Sequence, residues 1–193
     1  MPASGDPFQW RVSVAHIDAS GPFSDFPAYD RKMVLLKGGG IELRFGDGSR
    51  RVLRAVGELV EFDGGLATFG ELLEGPCVDL NLMIGKKHSA MVRVERLTEA
   101  RIGASRDQIV LVFPIDAGVS LLIDDAQTVA LKAWDLAVLS GGAAQLKALD
   151  HAPRDEARAH GAEGSAPSSA AVFLATLELA GPQSPGLGGP DTL

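Results

Sequence analysis

Short apolar or alternating runs recur along the whole chain, and Gly, Pro or Asp interrupts them every few residues. WRVSVA (10–15), KMVLLKG (32–38), GIELRFG (40–46), RVLRAV (51–56), ELVEF (58–62), VDLNLMI (78–84) and MVRVERL (91–97) occupy the first half. QIVLVFPI (108–115), GVSLLID (118–124), TVALKA (128–133), DLAVLSG (135–141), AQLKAL (144–149) and AAVFLATLEL (170–179) occupy the second. Each run is rich in Val, Ile or Leu and has turn residues at its ends. That spacing predicts a β-sandwich or barrel rather than βαβ units. FGELLEG (69–75) comes nearest to a helical repeat and is too short to be one.

The order of the runs repeats. LRAVGELVEFDGG (53–65) resembles LKAWDLAVLSGG (131–142): Leu, a basic residue, Ala, an acid, Leu and a closing Gly-Gly, aligned by one deletion. A pair of apolar runs precedes each copy and another follows it. The expectation is a duplicated β-unit with a tight turn in each copy, Gly57 supplying a positive φ in the first and Asp135 taking the turn position in the second. Charge and small residues in RLTEARIGASRDQ (96–108) place the boundary. This divides the chain into a first half, 8–98, and a second half, 99–181. Within the second, the polar, Ala-rich stretch 150–170 reads as a mobile insert, and the Pro/Gly-rich tail 182–193 reads as disordered.

Charge narrows the partners. A formal net charge of −7 and a pI near 5.0 repel a phosphate backbone, and no Lys/Arg stripe offsets them, so a nucleic-acid partner is not expected. No run approaches the ~20 apolar residues of a membrane span. The start, MPASGDPFQW, lacks the basic and apolar regions of a signal peptide. A single cysteine, Cys77, permits no internal disulfide. Together these features give a cytoplasmic protein as the expectation.

Common catalytic signatures are missing. His16, His88, His151 and His160 show no metal-ligand spacing, and no Cys cluster exists, so neither a metal nor another cofactor is expected. There is no G-x-S-x-G elbow, and Cys77 has no His at a recognised spacing, so no catalytic residue is assigned. The GGG run (38–40) lacks a following Lys-Ser/Thr and a helix, and reads as a hairpin turn.

Two strands carry a polar face beside an apolar one. In WRVSVA, Trp10, Val12 and Val14 oppose Arg11, Ser13 and Ala15. In VDLNLMI, Leu80, Leu82 and Ile84 oppose Asp79, Asn81 and Met83. Alternation alone leaves two readings of the polar faces. They face solvent, or they line a barrel interior where Arg can grip a carboxylate and Asn can both donate and accept.

The first of these strands opens a longer pattern: W-R-x-S-x-A (10–15), G-x-F-S-x-F-P (21–27), Arg31, L-L-x-G (35–38) and D-x-N-x-M (79–83). In combination these motifs resemble the HutD/Ves family. The match covers roughly Phe8 to Met83, and the second half follows only in its hydrophobic pattern. The resemblance implies a bicupin of the RmlC-like kind, two cupin-type β-barrels in one chain. It implies a non-enzymatic protein that binds a small acidic metabolite, formylglutamate in the family's case, and restrains histidine utilisation. Arg11, Ser13, Arg31, Asp79 and Asn81 take the ligand-binding positions, and Phe23, Phe26 and Met83 the pocket lip or its packing. The family pattern also has an upstream Trp-Lys-Asn-Gly-Gly-type segment that does not precede Trp10. It has Gly where this chain has Ala28, and Thr-Arg where this chain reads IGKK. Two alternatives stand beside this one: a metal-independent cupin-like enzyme using Asp79 and Arg11 on a small carboxylate, and a degenerate relative acting through protein contacts. A homodimer through sheet edges is a further expectation.

Overall fold

The computed structural model describes residues 8–149 and 169–179. The insert 150–170, apart from Ser169 and Ala170, lies outside the described residues, as do the tail 182–193, His151 and His160. Every regular element among the described residues is a strand. The first eight are β1 (Trp10–Ile17), β2 (Gly21–Pro22), β3 (Tyr29–Gly38), β4 (Ile41–Phe45), β5 (Arg50–Leu53), β6 (Leu59–Asp63), β7 (Thr68–Leu72) and β8 (Cys77–Gly85). Six more follow: β9 (Ser89–Leu97), β10 (Glu99–Pro114), β11 (Val119–Ile123), β12 (Gln127–Leu131), β13 (Ala137–Ala148) and β14 (Ala170–Glu178). The fold is all-β, as the alternation predicts. FGELLEG supplies β7 rather than a helix. No helix long and apolar enough to cross a membrane is present among the described residues.

The strands form three sheets, and every pairing is antiparallel. Sheet A runs β1-β8-β3-β6, sheet B runs β2-β7-β4-β5, and sheet C runs β12-β11-β13-β10-β14-β9. Sheets A and B enclose one apolar cluster built on Met33, Leu35, Ile41, Leu43 and Val60. All six strands of sheet C supply a second, with Val112, Val119, Leu121, Leu146 and Val172 at its centre. A third joins sheets A and C: Val34, Leu80, Leu82 and Ile84 meet Leu111, Phe113, Phe173 and Leu177. Strands β3 and β8 therefore bury both faces. That is why MVLL reads as an unbroken apolar run rather than an alternating one.

The order β1-β8-β3-β6 is matched by β9-β14-β10-β13, and the repeated sequence falls at the same place in each set. In the first copy Gly57, with φ 91°, donates its N–H to Leu35 O at 2.8 Å. In the second, Trp134, with φ 72°, donates to Pro114 O at 2.8 Å. The positive φ thus sits on Trp134, where glycine would be expected, and not on Asp135. Asp135 instead closes the turn from its side chain, accepting the Lys132 N–H at 2.8 Å. Glu58 does the same in the first copy, accepting the N–H groups of Arg54 and Ala55. Strand β9, on the first-half side of position 98, is hydrogen-bonded to β14 in sheet C. The charged stretch 96–108 lies largely within β10, whose register shifts between Ala104 and Ile109.

The segment 21–29, which leads into β3, is held by backbone bonds. Phe23 N–H donates to Thr68 O at 2.8 Å, and Phe26 N–H donates to Gly64 O at 2.7 Å. A Cβ on Gly64 would lie 2.7 Å from both Phe26 O and Tyr29 O, closer than real side chains approach. Gly64→Ala is therefore expected to push this loop off the sheet and to cost about 1–2 kcal/mol, the low end of overpacking. Its thermal midpoint against that of the parent protein measures this.

Candidate functional site

Strand β8 sets the floor of the site. Its even-numbered residues Val78, Leu80, Leu82 and Ile84 belong to the A–C core, so alternation turns Cys77, Asp79, Asn81 and Met83 to the opposite face. The flanking strands complete three rows. Arg11 and Arg31 flank Met83, Ser13 and Met33 flank Asn81, and Ala15 and Leu35 flank Asp79. The polar faces of β1 and β8 are therefore one surface, assembled by register across sheet A.

That surface is the wall of a cavity of about 430 Å³. Arg11, Ser13, Arg31, Asp79 and Asn81 all line it, together with Phe23, Phe26 and Met83. Arg11 is exposed and Ser13 half-buried. Arg31, Asp79 and Asn81 are only 6 %, 2 % and 4 % exposed. A rim of accessible side chains thus leads to a buried charged floor. The volume falls in the range of small-molecule pockets, roughly 300–1,000 Å³.

Arg31 is held mainly by aromatic faces. Its guanidinium lies 5.0 Å from the ring centre of Phe62, 5.2 Å from Phe23 and 5.9 Å from Phe26. Two long hydrogen bonds, both 3.4 Å, run from Nε to Asn81 Oδ1 and from Nη1 to Ser24 O. Neither uses Nη2. Among the described residues Arg31 closes no salt bridge with a carboxylate. Burial lowers its pKa, and the nearby Asp79 charge works the other way.

Asp79 carries the opposite strain. Burial pushes its carboxyl up to about 6, against the pull of Arg31 and the Asn81 side chain. Its Oδ1 has no hydrogen-bond partner among the described residues. A buried polar atom left this way is costly. Cys77, also on β8, has its thiol pushed up by burial and by the Asp79 charge. A thiol held protonated in this way is a small core group rather than a nucleophile.

The structure brings all eight sequence-predicted positions to one cavity. Sequence reasoning missed Phe62, whose ring lies nearest the Arg31 guanidinium. Alternation in ELVEF places Val60 and Phe62 on one face, and Arg31 pairs with Phe62 across β3 and β6. Only that register could have revealed it. His16 and Asp18 also line the cavity. Among the described residues no group of three His, Cys, Asp or Glu converges to hold a metal ion.

Fold and site together define an all-β sandwich protein with a charged, partly enclosed pocket sunk against one sheet. The chain belongs to the HutD family, whose model matches residues 1–154. It is 34 % identical over 113 residues to the protein Ves of Escherichia fergusonii, an alignment covering 58 % of this chain and 58 % of that protein. The chain thus spans a little over half the length of that curated relative. Among solved structures, a conserved protein of unknown function from Pseudomonas aeruginosa PAO1 superposes with a TM-score of 0.72 at 26 % identity, over 92 % of this chain and 87 % of the other. HutD from Pseudomonas fluorescens SBW25 gives a TM-score of 0.68 at 22 % identity, over 94 % and 85 %.

Proposed function

We propose that this chain is a HutD-type binding protein for a small acidic metabolite, formylglutamate foremost, and that it modulates histidine utilisation through that ligand. Arg31 is the charge that grips a carboxylate. Asn81 and Ser13 orient it, Arg11 stands at the entrance, and Phe23 and Phe26 form the lip. We further propose that the chain is a bicupin whose units are β1–β8 and β9–β14, joined at the turn between Gly85 and Ser89.

The observation that carries this reading is the contrast between the two units. In the matched strand orders, Arg31 corresponds to Val110, Asp79 to Val172 and Asn81 to Leu174, each fixed by its pairing partners. Those three are 3 %, 0 % and 3 % exposed and sit in the sheet C core. One architecture has thus been filled with apolar side chains in one unit and kept open and charged in the other. A buried Arg and Asp destabilise a core unless something uses them.

The test is calorimetric titration and thermal shift with formylglutamate, glutamate and urocanate. Formylglutamate is expected to raise the midpoint by mass action, by an amount that grows with ligand concentration. A folded protein that responds to none of the three would overturn the proposal. One observation favours the alternative of a metal-independent enzyme acting on a small carboxylate: an Asp titrating near 6 beside Arg31 is suited to proton transfer. Turnover of a carboxylate metabolite, lost in Asp79→Asn, is the result that would establish it.

A further inference from the structure

We infer that the pocket takes up one proton together with its carboxylate ligand, and that Asp79 holds it, donating a hydrogen bond to the ligand while Arg31 supplies the charge. This rests on the carboxylate-binding reading above and adds how the site balances charge.

The geometry gives one buried cation and one buried acid on the same floor. With Asp79 ionised, Arg31 and Asp79 are neutral together, and an entering carboxylate adds an uncompensated negative charge to a buried site. Two carboxylates sharing such a site cannot both remain ionised cheaply. Protonating Asp79 removes that conflict and turns an acceptor-only group into a donor. Its Oδ1 is already without a partner among the described residues, and Asp79 is part of the cavity lining. A neutral carboxyl there supplies a hydrogen bond that a carboxylate ligand can accept, as an ionised one cannot.

The other titratable groups facing the cavity are Arg11 and His16 from β1, Asp18 from the loop after it, and Arg31 from β3. On β8 itself the Cys77 thiol shares the Asp79 face but is packed into the A–B apolar cluster and held protonated. Strand β6 contributes only the Phe62 ring. His16 and Asp18 are therefore the competing proton acceptors, and both are exposed. The carboxyl of Asp79 titrates near 6, so at neutral pH it starts ionised and has a proton to gain.

The experiment is titration calorimetry with formylglutamate as probe, in two buffers of different ionisation enthalpy. Near pH 8 about one proton should be taken up per ligand bound, and near pH 5 close to none. Affinity should weaken about tenfold per pH unit above the Asp79 pKa and level off below it. In Asp79→Asn the uptake should vanish and the affinity become independent of pH from about 6 to 8. Binding with no proton uptake in the parent protein overturns this inference and leaves the carboxylate site standing. So does uptake that survives in Asp79→Asn, which would assign the proton to His16 or Asp18. The parent protein's measurement decides the matter even if the variant misfolds. Binding of none of formylglutamate, glutamate and urocanate at any pH overturns the carboxylate site, and this inference with it.

Discussion

Replacing Arg31 with leucine is expected to weaken formylglutamate binding ~30-fold or more, the scale seen when one member of a desolvated charge pair is truncated. Leucine fits among Phe23, Phe26 and Phe62, so those aromatic contacts are exchanged for apolar ones rather than lost to a void. The charge is not replaced. Asp79 then loses the charge that pulls its carboxyl down most, leaving the Asn81 side chain, and its pKa should rise further. Two readouts separate these effects. Calorimetry reports the affinity, and the pH profile of the apo protein reports the carboxyl. Arg31→Lys should recover only part of the affinity, because an ammonium lacks the planar fork that meets a carboxylate with two bonds and lies flat on a ring. Binding unchanged in Arg31→Leu would remove Arg31 from the site.

The second large effect is on stability in the absence of ligand. Asp79 titrates at about 6 in the folded chain, whereas an unfolded Asp titrates near 3.9. Between those values the folded state holds the proton and the unfolded state does not. The Asp79 contribution to stability is therefore largest below about pH 4, falls as the pH rises through the window to about 6, and is flat above it. A difference of roughly two units corresponds to about 2–3 kcal/mol lost across the window. This is the reverse of the usual salt-bridged carboxylate. The exposed Asp47, Glu58 and Asp63, whose carboxyls are held below the usual range by hydrogen bonds, act in the opposite direction at lower pH. The clean observable is thus a difference. Subtracting the stability profile of Asp79→Asn from that of the parent should isolate the fall between about 4 and 6. A flat difference profile would show that Asp79 is not strained.

Much of this was readable from the chain because a strand's period is two. Alternation paired Arg11 with Ser13 and Asp79 with Asn81 before any geometry was known. It could not say which face met water, since that depends on what lies behind the sheet. Here the apolar faces of both strands turn toward sheet C, and the polar faces are left to the cavity. Phe62 escaped notice because a Phe in ELVEF looks like ordinary core until register sets it beside Arg31. Asp135 does take a turn position in the second copy, but the positive φ beside it falls on Trp134, which adopts a backbone conformation its side chain disfavours. Its indole N–H donates to Ile115 O at 3.0 Å, which helps hold it there. The stretch 96–108 looked like a boundary by composition. Its charged residues Glu99, Arg101, Arg106 and Asp107 are instead exposed positions of β10, a strand that buries Ile102 and Ala104.

The A–C core decides what can fold alone. A fragment ending at β8 would carry Val78, Leu80, Leu82 and Ile84 as a bare apolar stripe, and one beginning at β9 would bare Phe113, Phe173 and Leu177. The strands on either side of the Gly85–Ser89 turn thus cover one another's apolar faces, as the two sides of a permanent dimer interface do. Sheet C thus backs the strands that carry Asp79 and Arg31 on their other face.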